Sequence, residues 1–352
     1  MPTHHQDRIA GVLLGTAIGD ALGLPAEGLN PVAIRKRGWA GNWHHRFFGK
    51  HGMWSDDTEH AIMLGQSLLV SGGDSCRFAK ALASELRWWL IGLPAGVGLA
   101  TARAILRLWM GFPPHRSGVF SAGNGPCMRT AVIGACFPDD EAKRRAFVEA
   151  HTLMTHTDPK ALIAARAITE LAALFVGLIE PPPPQLVLDR LAEAAGGNEE
   201  WRGITRTMET AWKSRRSLGT YLRSMGIDAN KGVGGYAWHT VPAAIYSGIV
   251  NEWRFRETVS SVLDAGGDTD SVAAIAGALC GAARGTATLP EEWLDGIAEW
   301  PVGIEDLRKL AQALATGEKL RIRPRWSPLL FSRNLFFLLI ALAHGFTRPF
   351  YR

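Results

Sequence analysis

The sequence predicts an all-α fold. Apolar residues recur at three- and four-residue spacing in segment after segment, and period-two alternation is almost absent. Alanine-rich runs free of β-branched residues are punctuated by 39 glycines and 19 prolines, the punctuation of helices joined by glycine turns. The first predicted helix runs from an Asp7 cap through Ile9, Val12, Leu13, Ala17 and Ile18 to about Leu22, with Gly11, Gly15 and Gly19 on one stripe. Small residues at that spacing let another backbone approach closely. Ser55 reads as the N-cap of a helix through Ile62, Met63 and Leu69, ended by Ser71-Gly72-Gly73. Further helices are expected over 74–92, 98–110, 125–137 and 140–154. Asp158 followed by Pro159 is a cap with a first-turn proline, opening a long helix to about Ile179. Pro181 to Pro184 stop it, and helical patterns resume over Gln185 to Ala195 and Trp201 to Arg216, so the proline run reads as a stiff connection inside one domain.

Hydrophobic residues at 47% and charged residues at 20% of 352 exclude a disordered chain. The formal charge of +5 is mildly basic; without a concentrated Lys/Arg face it gives no ground to expect nucleic acid as a partner. Cys76, Cys127, Cys136 and Cys280 form no CxxC pair, so reduced thiols are expected rather than zinc or a disulfide framework. The amino-terminal residues have no signal-peptide pattern, and a cytoplasmic location is expected. Lys319, Arg321, Arg323 and Arg325 with Trp326 alternate like a solvated connector. Leu329 to Phe346 is strongly apolar, but its uninterrupted part is short of the roughly 20 residues a membrane span needs. A docked C-terminal helix is expected there, in preference to a membrane-surface or partner-binding one.

Two segments gather carboxylates where helices begin: Ser55-Asp56-Asp57-Thr58-Glu59, and Gly266-Gly267-Asp268-Thr269-Asp270-Ser271. Capping by Asp and Ser is one account, although one aspartate suffices for it. The other is a shared cation that offsets like-charge repulsion, and the hard oxygen donors then favour Mg²⁺, Mn²⁺ or Ca²⁺ over zinc or copper. Four carboxylates can hold two ions on the order of 4 Å apart, an arrangement suited to orienting a hydroxyl-bearing substrate and activating water. Ser121 to Arg129 is a glycine loop entering a helix, a geometry that binds phosphate. His156-Thr157-Asp158-Pro159 and Gly232-Val233-Gly234-Gly235-Tyr236 also precede helices, and each alone is common packing.

In this order the segments resemble the ADP-ribosylglycohydrolase family. The resemblance runs from Gly11 to about Gly285 and rests on Gly15-Thr16-Ala17-Ile18-Gly19-Asp20-Ala21-Leu22-Gly23 with Glu27, Ser55-Asp56-Asp57-Thr58, Gly123-Asn124-Gly125 with Met128-Arg129, His156-Thr157-Asp158-Pro159, and Gly266 to Ser271. It implies a compact all-α domain over residues 1–315 with a central dinuclear Mg²⁺ cleft, Mn²⁺ being a substitute. The basic connector and apolar C-terminal helix follow over 316–352. It further implies Ser55, Asp56, Asp57, Asp268, Asp270 and Ser271 as metal ligands, and Glu27, Asp57 and Asp270 as catalytic. Gly123, Asn124, Gly125, His156, Gly234 and Tyr236 are implied on the substrate side. Ser55 and Ser271 stand where many relatives have Thr, with the hydroxyl kept. The implied activity is Mg²⁺-dependent removal of ADP-ribose from protein side chains, arginine first, with serine-linked and nucleic-acid-linked ADP-ribose as other substrates of the same site. A non-catalytic ADP-ribose binder is the alternative from another class. Protection against an ADP-ribosylating toxin, by reversal or by occlusion of the toxin, is a further role the family suggests.

Overall fold

Two antiparallel helices, His4–Gly23 and Thr269–Arg284, cross at the centre of the molecule, and theirs is the most extensive contact between any two elements. The computed structural model describes residues 3–94 and 96–347; the last five residues of the expected tail lie outside them. Gly11, Gly15, Gly19 and Gly23 face Gly281, Gly277, Ala273 and Thr269 in turn. A β-carbon on Gly11 would stand 2.5 Å from the Gly281 carbonyl oxygen, and one on Gly15 or Gly19 would overlap the carbonyl of Gly277 or Ala273. The stripe legible in the sequence is therefore the surface on which the second backbone lies. Both helices are buried on nearly every side, and the first is accordingly apolar around most of its circumference, with Arg8, Thr16 and Asp20 as its buried polar side chains.

Among the described residues there are seventeen α-helices and no sheet. Asp56–Ser71 and Ser75–Ile91 form a hairpin of helices on one side of the central pair, and Ile304–Thr316 packs across both His4–Gly23 and Asp56–Ser71. Ala131–Cys136, Pro159–Val176 and Ala237–Val250 cover the other side. Leu, Ile, Val, Ala and Trp side chains from all of them make one continuous core.

Several local expectations shift. Thr3, not Asp7, caps the first helix, its hydroxyl accepting from Gln6 N, while Asp7 accepts from the backbone and hydroxyl of Thr286. The helix expected over 125–137 is confined to Ala131–Cys136: Asn124 donates its N–H to Gly235 and its side-chain amide to Asp268, and the chain runs through turns up to Thr130. The helix from Glu199 ends at Lys213, shortly before Arg215 adopts a left-handed φ of 51°. Asp158 caps Pro159–Val176 as expected, its carboxylate accepting from Lys160 N at 2.8 Å.

The basic connector is not solvated throughout. Gln66 Oε1 accepts from Ile322 N and Arg323 N, at 2.9 and 2.7 Å, and Arg323 is buried. Arg321 and Arg325 both pair with the buried carboxylate of Glu85. Beyond it, Pro328–Thr347 docks through Leu330, Arg333, Asn334 and Phe337, with Phe337 against Phe47 at 4.7 Å between ring centroids. Its outward side exposes Phe331, Leu335, Leu339 and Leu342.

Candidate active site

Four loops from distant parts of the chain lie edge to edge at one end of the central helix pair. Gly28 N donates to Gly267 O at 2.6 Å, and Gly267 N to Leu29 O at 2.7 Å. Val233 N donates to Gly266 O at 2.9 Å, and Asp268 N to Val233 O at 2.7 Å. Asn124 N then donates to Gly235 O at 2.9 Å, and Ala237 N to Ala122 O at 2.9 Å. Gly266 and Gly267 have φ of +66° and +94°, and a β-carbon on Gly267 would overlap the Val233 backbone. This stitching brings Glu27, Asn124, Gly235, Asp268 and Asp270 to the rim of one cavity of about 320 Å³.

The first acidic segment reaches the same cavity from the other side. Ser55 occupies the N-cap of Asp56–Ser71 without a capping bond of its own. Asp20, from the central helix, takes that role: its carboxylate accepts from Ser55 N at 2.8 Å, Thr58 N at 3.0 Å and Thr58 Oγ1 at 2.6 Å. Asp57 is buried beneath Asp56, and its Oδ2 accepts from both Ser55 Oγ at 3.3 Å and Ser271 Oγ at 3.2 Å. The two carboxylate segments, far apart in sequence, therefore meet at Asp57. Asn124 Nδ2 donates to Asp268 Oδ2 at 2.7 Å and contacts Thr240 Oγ1 at 3.2 Å, which orients Asp268.

Electrostatically the cluster is under strain. Burial, then the negative charge of Asp20, holds Asp56 and Asp57 well above the usual carboxylate range. Burial, then Glu27, does the same for Asp270. Asp57 Oδ1 is buried and accepts no hydrogen bond. A buried carboxylate oxygen with no donor, ringed by other carboxylates and hydroxyls, is what a hard divalent cation would satisfy, and the donor set contains only oxygen. Among the described residues no three His, Cys, Asp or Glu side chains are already gathered closely enough to hold an ion.

Of the expected substrate-side residues, Gly123, Asn124, Gly125 and His156 line the cavity. Both glycines lie against the His156 ring, where a β-carbon on either would stand 3.1 Å from it. Gly234 and Tyr236 do not line it, whereas Gly235 between them does. The Tyr236 ring instead packs edge-on against His239, with Lys160 Nζ 6.0 Å from its centroid. His156 is buried and held uncharged, its pKa lowered to about 3 by burial and then by Arg129. Arg129 itself is fully buried under the cavity floor, contacting His60 Nδ1 at 2.7 Å and Thr155 Oγ1 at 3.1 Å. Asp20, Thr240 and Arg129 have site-building roles that residue spacing did not reveal, although Asp20 and Arg129 sit inside two of the family-like segments.

A larger cavity of about 490 Å³ lies behind the Gly266 loop, lined by Arg35, Arg223, Ser260 and Asp264 among others. It contains none of the acidic pairs, so the smaller cavity is the candidate site.

The family model described as ADP-ribosylglycohydrolase matches residues 1–323. An uncharacterized protein of Archaeoglobus fulgidus is 31% identical over 306 residues, covering 84% of this chain and 92% of that protein. The ADP-ribosyl-[dinitrogen reductase] glycohydrolase of Rhodospirillum rubrum is 27% identical, covering 83% and 90%. The ADP-ribosylarginine hydrolase Tri1 of Pseudomonas putida is 27% identical, covering 89% and 79%. A solved ADP-ribosylglycohydrolase-related protein complex superposes with a TM-score of 0.63 at 27% identity, covering 90% of this chain and 99% of that one.

Proposed function

The chain belongs to the ADP-ribosylglycohydrolase family, and from that premise we propose that it is a Mg²⁺-dependent enzyme removing ADP-ribose from modified arginine side chains of proteins. Two relatives are named for ADP-ribosylated protein and ADP-ribosylarginine substrates, which supports the linkage. The observation that carries the metal reading is the meeting of the two carboxylate segments at Asp57, whose buried Oδ1 lacks any donor.

Asp56, Asp57, Asp268 and Asp270, with the hydroxyls of Ser55 and Ser271, would hold two Mg²⁺ ions or Mn²⁺ in their place. Bound there, the ions supply Lewis acidity beside a ribose diol and a lowered pKa for water. Asn124 fixes one Asp268 oxygen, leaving the other to act as a ligand. Glu27, on the cavity rim and exposed to solvent, takes up the proton of the attacking water. The carboxylates facing the ring stabilise the oxocarbenium-like charge as the arginine nitrogen departs. His156 stays neutral at working pH, so it adds no positive charge to a floor that must admit cations.

Release of ADP-ribose from an arginine-modified protein should vanish with EDTA, return with Mn²⁺, and fall on the order of 10³-fold in Asp57→Ala. Full turnover in EDTA defeats the metal reading. A panel of arginine-, serine- and nucleic-acid-linked ADP-ribose separates the linkages, and ADP-ribose binding by Mg²⁺-loaded protein without turnover of any of them favours a binder.

A further inference from the structure

We propose that Arg333, on the C-terminal helix, is a positioning residue that latches the loop entering the first carboxylate segment; this rests on the metal reading above. The family match ends at residue 323, so Arg333 lies beyond the part of the chain that the family defines. Its guanidinium is nonetheless buried at 3% exposure, at the inner end of a helix whose opposite side faces solvent.

The contacts converge on a single peptide. Arg333 Nη2 donates to Trp54 O at 2.6 Å, and the same nitrogen bonds Glu299 Oε1. Glu299 Oε1 in turn accepts from Trp54 N at 3.0 Å, while Arg333 Nε donates to Glu299 Oε2 at 3.1 Å. Both backbone groups of Trp54 are thus held by one ion pair, immediately before Ser55. On the far side, Asp20 holds Ser55 N. Arg333 Nη1 also lies 3.6 Å from Glu59 Oε1, one turn into the helix that carries Asp56 and Asp57. Glu59 and Glu299 are both buried, and Arg333 is the cation the structure pairs with each of them. Two buried carboxylates compensated by one guanidinium lock the helix start against rotation, because releasing Arg333 leaves both charges unpaired.

The helix is also anchored through partners other than Trp54, Glu299 and Glu59: His344 Nε2 contacts Phe47 O at 2.8 Å, and Asn334 and Phe337, which touch the Arg333 guanidinium, reach other segments as well. Asn334 Nδ2 donates to Gly92 O at 2.8 Å, and Phe337 packs on Phe47. Removing the latch therefore leaves the tail attached, while the Trp54-Ser55 peptide loses its fixed position and the metal cluster loses preorganisation.

The test is Mn²⁺ binding by the full-length chain, read by electron paramagnetic resonance with unfolding followed in parallel. Arg333→Lys keeps the charge but places one ammonium where a planar fork bonded Trp54 and Glu299 together. It should fold and bind Mn²⁺ about tenfold more weakly than the wild-type chain, with Arg333→Gln weaker still. Leu339→Ser, on the exposed side of the same helix, should bind as the wild type does. A merely structural role lowers the unfolding temperature and leaves the affinity alone. Wild-type affinity in Arg333→Lys, or an equal loss in Leu339→Ser, overturns the latch. Asp57→Ala reports on the cluster itself: if the wild-type chain binds no Mn²⁺, the metal reading fails and takes the latch with it. Binding by the wild type, loss in Asp57→Ala and no change in Arg333→Lys refutes the latch alone.

Discussion

The two acidic helix starts meet at one cavity but are held in place by different means. Ser55-Asp56-Asp57 is held by side chains: Asp20 caps it, and Arg333 and Glu299 grip the peptide before it. Asp268-Thr269-Asp270-Ser271 is held mainly by backbone, with Asn124 orienting Asp268. Gly266 and Gly267 lie between Leu29 and Val233, and the helix that follows rests on glycines of the first helix. The difference separates their vulnerabilities. The first segment depends on the side chains that grip it, in charge and in shape, and the second on backbone contacts that leave no room for an added atom.

That contrast can be broken experimentally. The largest effect is expected for Gly267→Ala, which forces an alanine to φ +94° and into the Val233 backbone. It should cost about 3 kcal/mol or more of stability and abolish turnover, read from urea unfolding and ADP-ribose release. A mild loss there would mean that the second segment is not backbone-held. A smaller effect is expected for Asp20→Asn, which keeps the size but offers one acceptor oxygen where two served three donors. About 2 kcal/mol of stability should be lost, with weakened Mn²⁺ binding. Stability and binding both unchanged would remove Asp20 from the account of the first segment.

The smallest effect concerns His156, whose ring lies against Gly123 and Gly125 in the cavity lining. Its folded pKa is lowered to about 3, so between pH 6.5 and 3 the unfolded chain binds a proton that the folded chain refuses. Stability from this group is intact above pH 6.5 and declines as pH falls, by about 1 kcal/mol at pH 6. Its imidazole resonances should stay those of the neutral ring between pH 8 and 5, and a midpoint near 6.5 would show that the floor is wetter than the structure has it.

The sequence carried the fold class and the parts of the site that are local. Helix periodicity, the Asp158-Pro159 cap and the glycine stripe of the first helix all match the structure, because each depends on residues a few positions apart. Both carboxylate segments were legible for the same reason, and their meeting at Asp57 is consistent with the shared-cation account raised for them. What sequence spacing concealed is tertiary. Asp20 caps a helix 35 residues away, Gln66 holds a connector expected to be solvated, and Arg333 reaches Trp54 across 279 residues. Asn124 was legible as a loop residue, but its tie to Asp268 was not. Gly234 and Tyr236 were placed by their loop; the structure keeps the loop at the cavity and turns those two away from its lining.

The antiparallel crossing of the central helices has an electrostatic side. The amino end of Thr269–Arg284 lies directly beside the carboxyl end of His4–Gly23, where Thr269 Oγ1 donates to Gly23 O at 2.8 Å. A helix dipole places about half a positive charge at its amino end and half a negative charge at its carboxyl end, so the two largely cancel around Asp270. The field that stabilises an acidic residue at an isolated helix start is therefore muted here. The same glycine contact that sets Asp270 at the cavity withholds the peptide charge that would have offset it, the charge that the proposed cation would supply instead.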